Sequence, residues 1–352
     1  MEPLLKYYTV LDLHNWLVHN QLIEGLSDQI IAPQRAWAII HNPYVKDSDA
    51  VLCAIFEDNK PVAYTAAFPD LLNEENRLVW WFTTLYCHPS CLGKGYGLVV
   101  IGQLCELIGE GNFFDMDGAE ETVSIFNYLG LNSKYIERYI FAPKQINCNS
   151  LKGKVAYIVD RFQQLKIKNN RSKLLRLIES NKFELRYINH IDDICYQFIC
   201  KHSTNDAFVR SQSMLNWILA YPFMQQTPLC HRSHKSLEFS SQVQQYSINA
   251  VQVLKDSQLV GLFIYRIMDT KFSLKYLYYI DSYMQDVFEA IAEHIIRTSS
   301  VQIQTTHSEF ATWLQLYNIT SKYFLEEQSF SYPDWFTKYT SNIQQGDGDV
   351  FV

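Results

Sequence analysis

The sequence predicts a mixed α/β fold, a central β-sheet flanked by helices, built twice along one chain. Strand-like and helical runs alternate from the start. The order of these runs in residues 1–160 recurs in residues 183–340. One strand–glycine loop–helix unit, at residues 85–104, stands out in the first copy and is missing from the second. At 352 residues the chain exceeds one average domain, in keeping with that doubling.

In the first copy, strands are expected at Leu5–Val10, Ala50–Phe56, Val62–Phe68, Leu78–Tyr86, Phe113–Met116 and Arg138–Phe141. Helices are expected between Leu11 and His41, at Tyr96–Ile108 and at Glu120–Leu129. Asp58-Asn59-Lys60 has the composition of a hairpin turn, and Leu78–Tyr86 is apolar on both faces, as suits a strand covered on both sides. Trp80 and Trp81 then face opposite ways, one into the core and the other free to wall a pocket. The segment CAIFEDNKPVAYTAAF at 53–68 finds its counterpart in VQVLKDSQLVGLFIYR at 251–266, and LVWWFTTLYC at 78–87 in the aromatic run from Phe272 to Asp281. A helix at about 284–297 and a short strand at 301–305 complete the parallel. A repeat of this size indicates two copies of a domain, since solenoid repeats are far shorter. The boundaries expected are a first domain at 1–160, a basic linker at 161–182, a second domain at 183–340 and a tail at 341–352. Gly346 to Asp349 reads as a frayed acidic terminus.

Composition narrows the function. The chain is 48% apolar and 14% aromatic, as packed proteins are, and no apolar stretch is long enough to span a bilayer. The N-terminus lacks the basic-then-apolar layout of a signal peptide, and the eight cysteines are irregularly spaced, so reduced thiols and a cytoplasmic location are expected. A net charge of −7 argues against nucleic acid as a partner, and no membrane partner is expected either. Residues 1–150 hold 9 Lys+Arg against 18 Asp+Glu. Basic residues concentrate instead from Lys152 through Arg161, Lys166, Lys168, Arg171, Lys173 and Arg176, either a solvated linker helix or a basic flank for an anionic ligand. Cys195, Cys200, His202, Cys230, His231 and His234 do not have the spacing of a closed zinc site, so no metal is expected.

The chemistry concentrates in LYCHPSCLGKGYGLVVIGQL, residues 85–104. A strand ends at Cys87-His88-Pro89, a loop follows with Gly93, Gly95 and Gly97, and an apolar helix begins without a gap. Glycines allow backbone amides to approach an anion, and a helix N-terminus adds unpaired N–H groups and the positive end of its dipole. No Gly-Lys-Ser/Thr ending makes it a P-loop, and the glycine spacing is not that of a dinucleotide fold. Cys87 and Cys91 flank His88 in this loop and read as small lining residues rather than as nucleophiles.

This segment resembles the acetyl-CoA signature of the GNAT superfamily of N-acetyltransferases, a strand ending in His-Pro followed by [Q/R]-x-x-G-x-[G/A]. The resemblance covers about residues 1–150 and implies the cofactor-binding residues. Leu92 stands at the Gln/Arg position, Gly95 and Gly97 at the small ones, Gly93, Lys94 and Tyr96 fill the loop, and Leu85, Tyr86 and Cys87 form the strand end that pairs with pantetheine. It further implies a tandem form in which acetyl-CoA is the co-substrate, an amine-bearing small molecule, amino sugar or peptide is the acceptor, and the second copy is degenerate. The helix that carries the family's proton-donating tyrosine appears here as SIFNYLGL, residues 124–131, with Phe126 at the tyrosine position. The acid is left open between Tyr128, Tyr86 and water, and the base between Asp117, His88 and Glu120. A non-catalytic acyl-CoA-binding scaffold and an aminoacyl transferase of the same fold are the alternatives.

Overall fold

A computed structural model describes residues 2–72, 77–109, 111–143, 151–179, 183–204, 206–226, 242–339 and 343–348. The first half runs β1 (Leu4–Thr9), α1 (Val10–His19), α2 (Pro33–Ile40), β2 (Ala50–Glu57), β3 (Lys60–Leu72), β4 (Arg77–Cys87), α3 (Tyr96–Ile108), β5 (Phe113–Met116), α4 (Glu120–Tyr128) and β6 (Asn132–Phe141). Then α5 (Leu151–Ile178) leads into β7 (Phe183–Ile188), α6 (Asp193–His202), α7 (Gln212–Ala220) and the two-residue strands β8 (Gln225–Gln226) and β9 (Gln242–Val243). The second half closes with β10 (Tyr246–Lys255), β11 (Gln258–Met268), β12 (Lys271–Tyr279), α8 (Met284–Arg297), β13 (Gln302–Thr305), α9 (Ser308–Leu316) and β14 (Tyr323–Tyr332).

Local chemistry accounts for the boundaries. Thr9 caps α1 with a full capping box to Asp12, so the helix starts at Val10, a residue assigned to the strand on sequence. Pro33 opens α2, where its missing N–H costs nothing. The β2–β3 turn places Asp58 and Asn59 at φ 52° and 62°, and the β10–β11 turn places Asp256 and Ser257 at 49° and 65°. Two consecutive left-handed residues match the right-handed twist of a hairpin.

Twelve strands form one sheet in the order β1-β2-β3-β4-β5-β14-β6-β13-β12-β11-β10-β7. The order is nearly palindromic, with one exchange at its centre. The last strand of each half lies beside the other half: β14 pairs with β5 through Phe330–Met116, and β6 pairs with β13 through Ile303–Phe141. The two exchanged strands pair with each other along their full lengths, from Tyr323–Phe141 to Tyr332–Asn132. Neither β14 nor this exchange was anticipated from the sequence.

One apolar cluster joins both halves, running from Val51, Phe68 and Trp81 to Phe208, Leu262 and Tyr276. At its centre Trp81 lies 5.2 Å from Phe114 and 5.0 Å from Phe208 between ring centroids. A buried ion pair, Arg210 to Asp70 at 2.9 Å, crosses the same region, with Trp81 Nε1 donating to Asp70 at 3.2 Å. The second cluster packs Val251, Phe263 and Leu274 beneath Phe288 and Ile291 of α8, Phe310 of α9, and Leu174 and Ile178 of α5.

The segment read as a frayed terminus is corrected by the structure. Residues Ile343–Gly348 are buried against β12: Gly346 N–H donates to Lys275 O at 2.8 Å, and Leu277 N–H donates to the Gln344 side chain at 2.8 Å. Arg210 donates to the carbonyls of Gly346 and Gly348, and Tyr276 to that of Gly346. Saturated backbone contacts of this kind hold a glycine-rich acidic segment that composition alone marks as loose. Asp349 lies outside the described residues.

Candidate acyl-donor groove and acceptor cavity

The strand bearing the glycine loop parts from its neighbour. β4 and β5 pair in parallel only at Trp80–Phe113 and Trp81–Phe114, while β4 runs on to Cys87 and β5 ends at Met116. A bulge on the other edge assists the departure: Phe82 faces Ala67 and Thr84 faces Ala66, leaving Thr83 as the extra residue. Arg35, buried on α2, fixes this bulge by donating to Thr83 O at 2.6 Å, to Thr83 Oγ1 at 2.9 Å and to Thr84 Oγ1. Thr65 Oγ1 donates to Thr84 O at 2.7 Å from β3. The one cation in the apolar run of α2 was the sequence signal for this, and its partner lies 48 residues away.

Beyond Cys87 the chain makes a single 3-10 turn, Pro89–Cys91, capped by the His88 side chain, which accepts from Ser90 N–H at 3.2 Å. Gly93 and Gly95 follow at φ 83° and 78°, and α3 starts at Tyr96. Val99 is the first α3 amide with a helical acceptor, Gly95 O at 3.1 Å, and Gly97 N–H donates to the Cys87 sulfur. Among the described residues, the N–H groups of Gly93, Gly95, Tyr96 and Leu98 have no acceptor. No atom lies within 4 Å of where a Cβ on Gly93 or Gly95 would stand. The loop therefore leaves these amides unpaired beside open space at Gly93 and Gly95, at the positive end of α3.

Glu57, at the end of β2, ties the loop down. It accepts from Lys94 Nζ at 2.9 Å and from Tyr96 Oη at 2.5 Å. The bonds from Lys94 and then Tyr96 hold its carboxyl below the usual range, and they raise both partners in return. The Cys87 thiol is pushed up by burial and by its neighbour Cys91. Leu92 is exposed, and Leu85, Tyr86 and Cys87 are half-buried along the strand end.

Where the strands part, a cavity of about 360 Å³ opens. Thr83, Thr84 and Leu85 of β4 form one wall, Asp115–Ala119 another, and Phe126 lines it from α4. Lys275, Gln328, Gln345 and Asp347 reach it from the second half. Those four were missed in the sequence, where no motif marks them and only the sheet order brings them near β4. Asp347 is almost fully buried and, among the described residues, its Oδ1 has no hydrogen-bond partner; burial holds its carboxyl well above the ordinary carboxylate range.

The catalytic candidates are not brought together. Asp117 lines the cavity, held at φ 63° by its N–H to Ser329 O, and pairs with Arg138 at 2.9 Å; Arg138 also binds Glu326 at 2.6 Å. His88 is exposed and engaged in its cap, outside the cavity lining. Tyr128 is 78% exposed on α4 and Phe126 fully buried, 5.0 Å from Phe82, so the helix turns its phenylalanine inward and its tyrosine outward. Glu120 is exposed in the first turn of α4.

Among the described residues, no group of three His, Cys, Asp or Glu side chains is placed to hold a metal; Cys230, His231 and His234 lie outside them. The basic run falls on α5, where Arg171 donates to Ile319 O at 2.7 Å and to Ser300 O at 3.3 Å, and none of its residues lines the cavity. No helix is long and apolar enough to cross a membrane, among the described residues.

No protein-family model and no curated protein matches this chain. Solved structures similar to it include a GCN5-related N-acetyltransferase from Kribbella flavida, at 12% identity and TM-score 0.49, covering 94% of this chain and 71% of that one. A GCN5-related N-acetyltransferase from Sphaerobacter thermophilus is similar at 8% identity and TM-score 0.43, covering 94% of each chain. N-myristoyltransferase of Saccharomyces cerevisiae, solved with bound myristoyl-CoA and inhibitors, is similar at 12% identity and TM-score 0.47, covering 93% of this chain and 79% of that one.

Proposed function

We propose that the protein is an acyl-CoA-dependent N-acyltransferase that moves an acetyl group from acetyl-CoA to an amine. The observation that carries this reading is the conjunction of a parted strand pair with a loop of unpaired amides at its mouth. The amides of Gly93, Gly95, Tyr96 and Leu98 receive the pyrophosphate, and the edge of Leu85–Cys87 that β5 leaves free receives the pantetheine amides. The thioester then lies at Thr83–Leu85, where the cavity begins. A neutral amine entering the cavity attacks the carbonyl carbon, the C–N bond forms, the C–S bond breaks and CoA thiolate leaves. Backbone amides of β4 polarise the carbonyl oxygen, and holding both reactants in one cleft supplies much of the rate. Asp117 is the one catalytic candidate on the cavity wall, paired there with Arg138, and in this reading it accepts the proton of the attacking amine.

The buried Phe126 and outward Tyr128 favour a second reading, a scaffold that binds acyl-CoA without turnover. One assay separates the two. Free thiol is followed with acetyl-CoA and a panel of amino sugars, small amines and peptides, against Gly95→Asp as background. A panel member that releases thiol at least about tenfold above background supports the enzyme. Micromolar CoA affinity without any such release supports the scaffold, and no affinity for CoA overturns both.

A further inference from the structure

Helix α5 is amphipathic in two opposite senses. At about 100° per residue, Asp160, Gln164, Ile167, Arg171, Leu174 and Ile178 share one side. All six are half-buried or buried, with Asn170 and Leu175 half-buried at the edges of the same side, so this side faces the body, and α5 packs on α8. Near its C-terminus that side is apolar, with Leu174 and Ile178 in the core at 4% and 2% exposure. Toward the N-terminus the body-facing positions are Asp160 and Gln164. The apolar residues there stand on the opposite side: Val155, Ile158, Val159, Phe162 and Leu165, exposed at 55%, 55%, 52%, 69% and 63%. A solvated linker has no reason to aim its five apolar side chains at water and its polar ones at the protein.

The charges indicate what covers this ridge. Lys166, Lys173 and Arg176 are exposed on the same outward side, and Arg161 and Lys168 flank it. Asp160, turned toward the body, is the one acid between Leu151 and Ile178. Two copies meeting through this face would bring their cations together. The ridge, some 11 residues or about 16 Å long, is also short of the three or four heptads that a coiled coil needs. A convex apolar ridge continued by a row of cations matches an anionic lipid surface, which receives the apolar side chains at its acyl boundary and the cations at its phosphates. We infer that the N-terminal half of α5 docks the protein on anionic membrane surfaces, lying in the interface without crossing it.

Co-sedimentation of the full chain with vesicles tests this. Phosphatidylcholine vesicles containing phosphatidylglycerol should pellet the protein, and pure phosphatidylcholine should not. Ile158→Glu with Phe162→Glu should lower the partition at least about tenfold. Lys166→Ser, Lys173→Ser and Arg176→Ser together should lower it by a similar factor at low salt and less at high salt. Both variants change only outward-facing side chains, so an unchanged melting temperature and unchanged stabilisation by CoA confirm that the fold survives. A wild-type chain that ignores anionic vesicles overturns the inference, as does equal partition of the Glu variant. A dimer by light scattering that Phe162→Glu dissolves assigns the ridge to a second copy instead.

Discussion

Two grooves face each other across the centre of the sheet, and they differ in what fills them. In the first half β4 leaves β5 after Trp81, and the space between them is open. In the second, β12 pairs in parallel with β13 from Lys271–Gln302 to Ser273–Gln304 and then runs on past it to Tyr279, paired only with β11 on its other edge. There the chain's own segment Ile343–Gly348 takes the vacated edge, with Gly346 bonded to Lys275 and Gln344 to Leu277. The glycines record the difference. A Cβ on Gly93 or Gly95 would meet nothing within 4 Å, whereas one on Gly346 would stand 2.2 Å from the Tyr276 ring and one on Gly348 2.6 Å from Met116. Open glycines make room for a ligand; crowded ones make room for the protein itself.

The helix starts differ in the same sense. In the first half, four residues separate the 3-10 turn Pro89–Cys91 from α3, and two of them, Gly93 and Gly95, carry unpaired amides. In the second, the 3-10 turn Asp281–Tyr283 passes directly into α8 at Met284. Asp286 then sits in the first turn of α8, paired with Lys255 at 2.7 Å. The protein's own carboxylate thus stands at the positive end of the helix, where a bound phosphate would stand in the other half.

The largest effect expected from this contrast is in stoichiometry. Calorimetry with acetyl-CoA should give one site per chain, and Gly95→Asp, which sets a bulky anion against the pyrophosphate, should abolish binding altogether. Residual binding in Gly95→Asp, or a stoichiometry near two, would show that the second groove is not closed.

The open groove was legible in the sequence because its parts are contiguous. Strand end, glycines and helix start all fall within residues 85–104, and each has a local physical signature. The recurring order of elements was legible because hairpin, aromatic strand and helix follow one another twice in the sequence. The plug was not. Gln344 to Gly348 carry no apolar periodicity, and what buries them is a carbonyl on β12 and a guanidinium on Arg210, more than sixty residues away in the chain. The exchange of β6 and β14 escaped for a similar reason, since strand composition does not specify which neighbour a strand takes. His88 and Glu120 were candidates by resemblance, and only the structure sets them off the cavity wall, His88 in its cap on Ser90 and Glu120 exposed in the first turn of α4.

A smaller effect sharpens the plug itself. Gly346→Val adds side-chain atoms where the Tyr276 ring already stands, so either the segment leaves the groove or the ring shifts. Chemical denaturation should show a loss of about 1–3 kcal/mol. If the segment leaves, the cavity also loses Gln345 and Asp347 from its wall, and turnover should fall even though the cradle at Gly93–Gly97 is untouched. A stable Gly346→Val variant with unchanged turnover would mean that the plug fills space without supporting the site.

The smallest effect concerns the tether at the mouth of the open groove. Glu57 is half-buried, and its carboxylate holds Lys94 and Tyr96, two of the groups nearest the unpaired amides. An arriving pyrophosphate competes with Glu57 for Lys94 and is repelled by the carboxylate it displaces. Glu57→Gln removes the repulsion and frees the lysine while keeping an acceptor for Tyr96. Affinity for CoA should rise a few-fold at low ionic strength, and the gain should shrink at high salt, because both charges reach solvent and are screened. Free CoA also carries a 3′-phosphate, so the same measurement with dephospho-CoA isolates the pyrophosphate contribution. The gain should persist if Glu57 opposes the pyrophosphate. Weaker binding in Glu57→Gln would give the carboxylate the opposite role, that of holding the loop in the shape that keeps the amides of Gly93 and Gly95 turned toward the ligand.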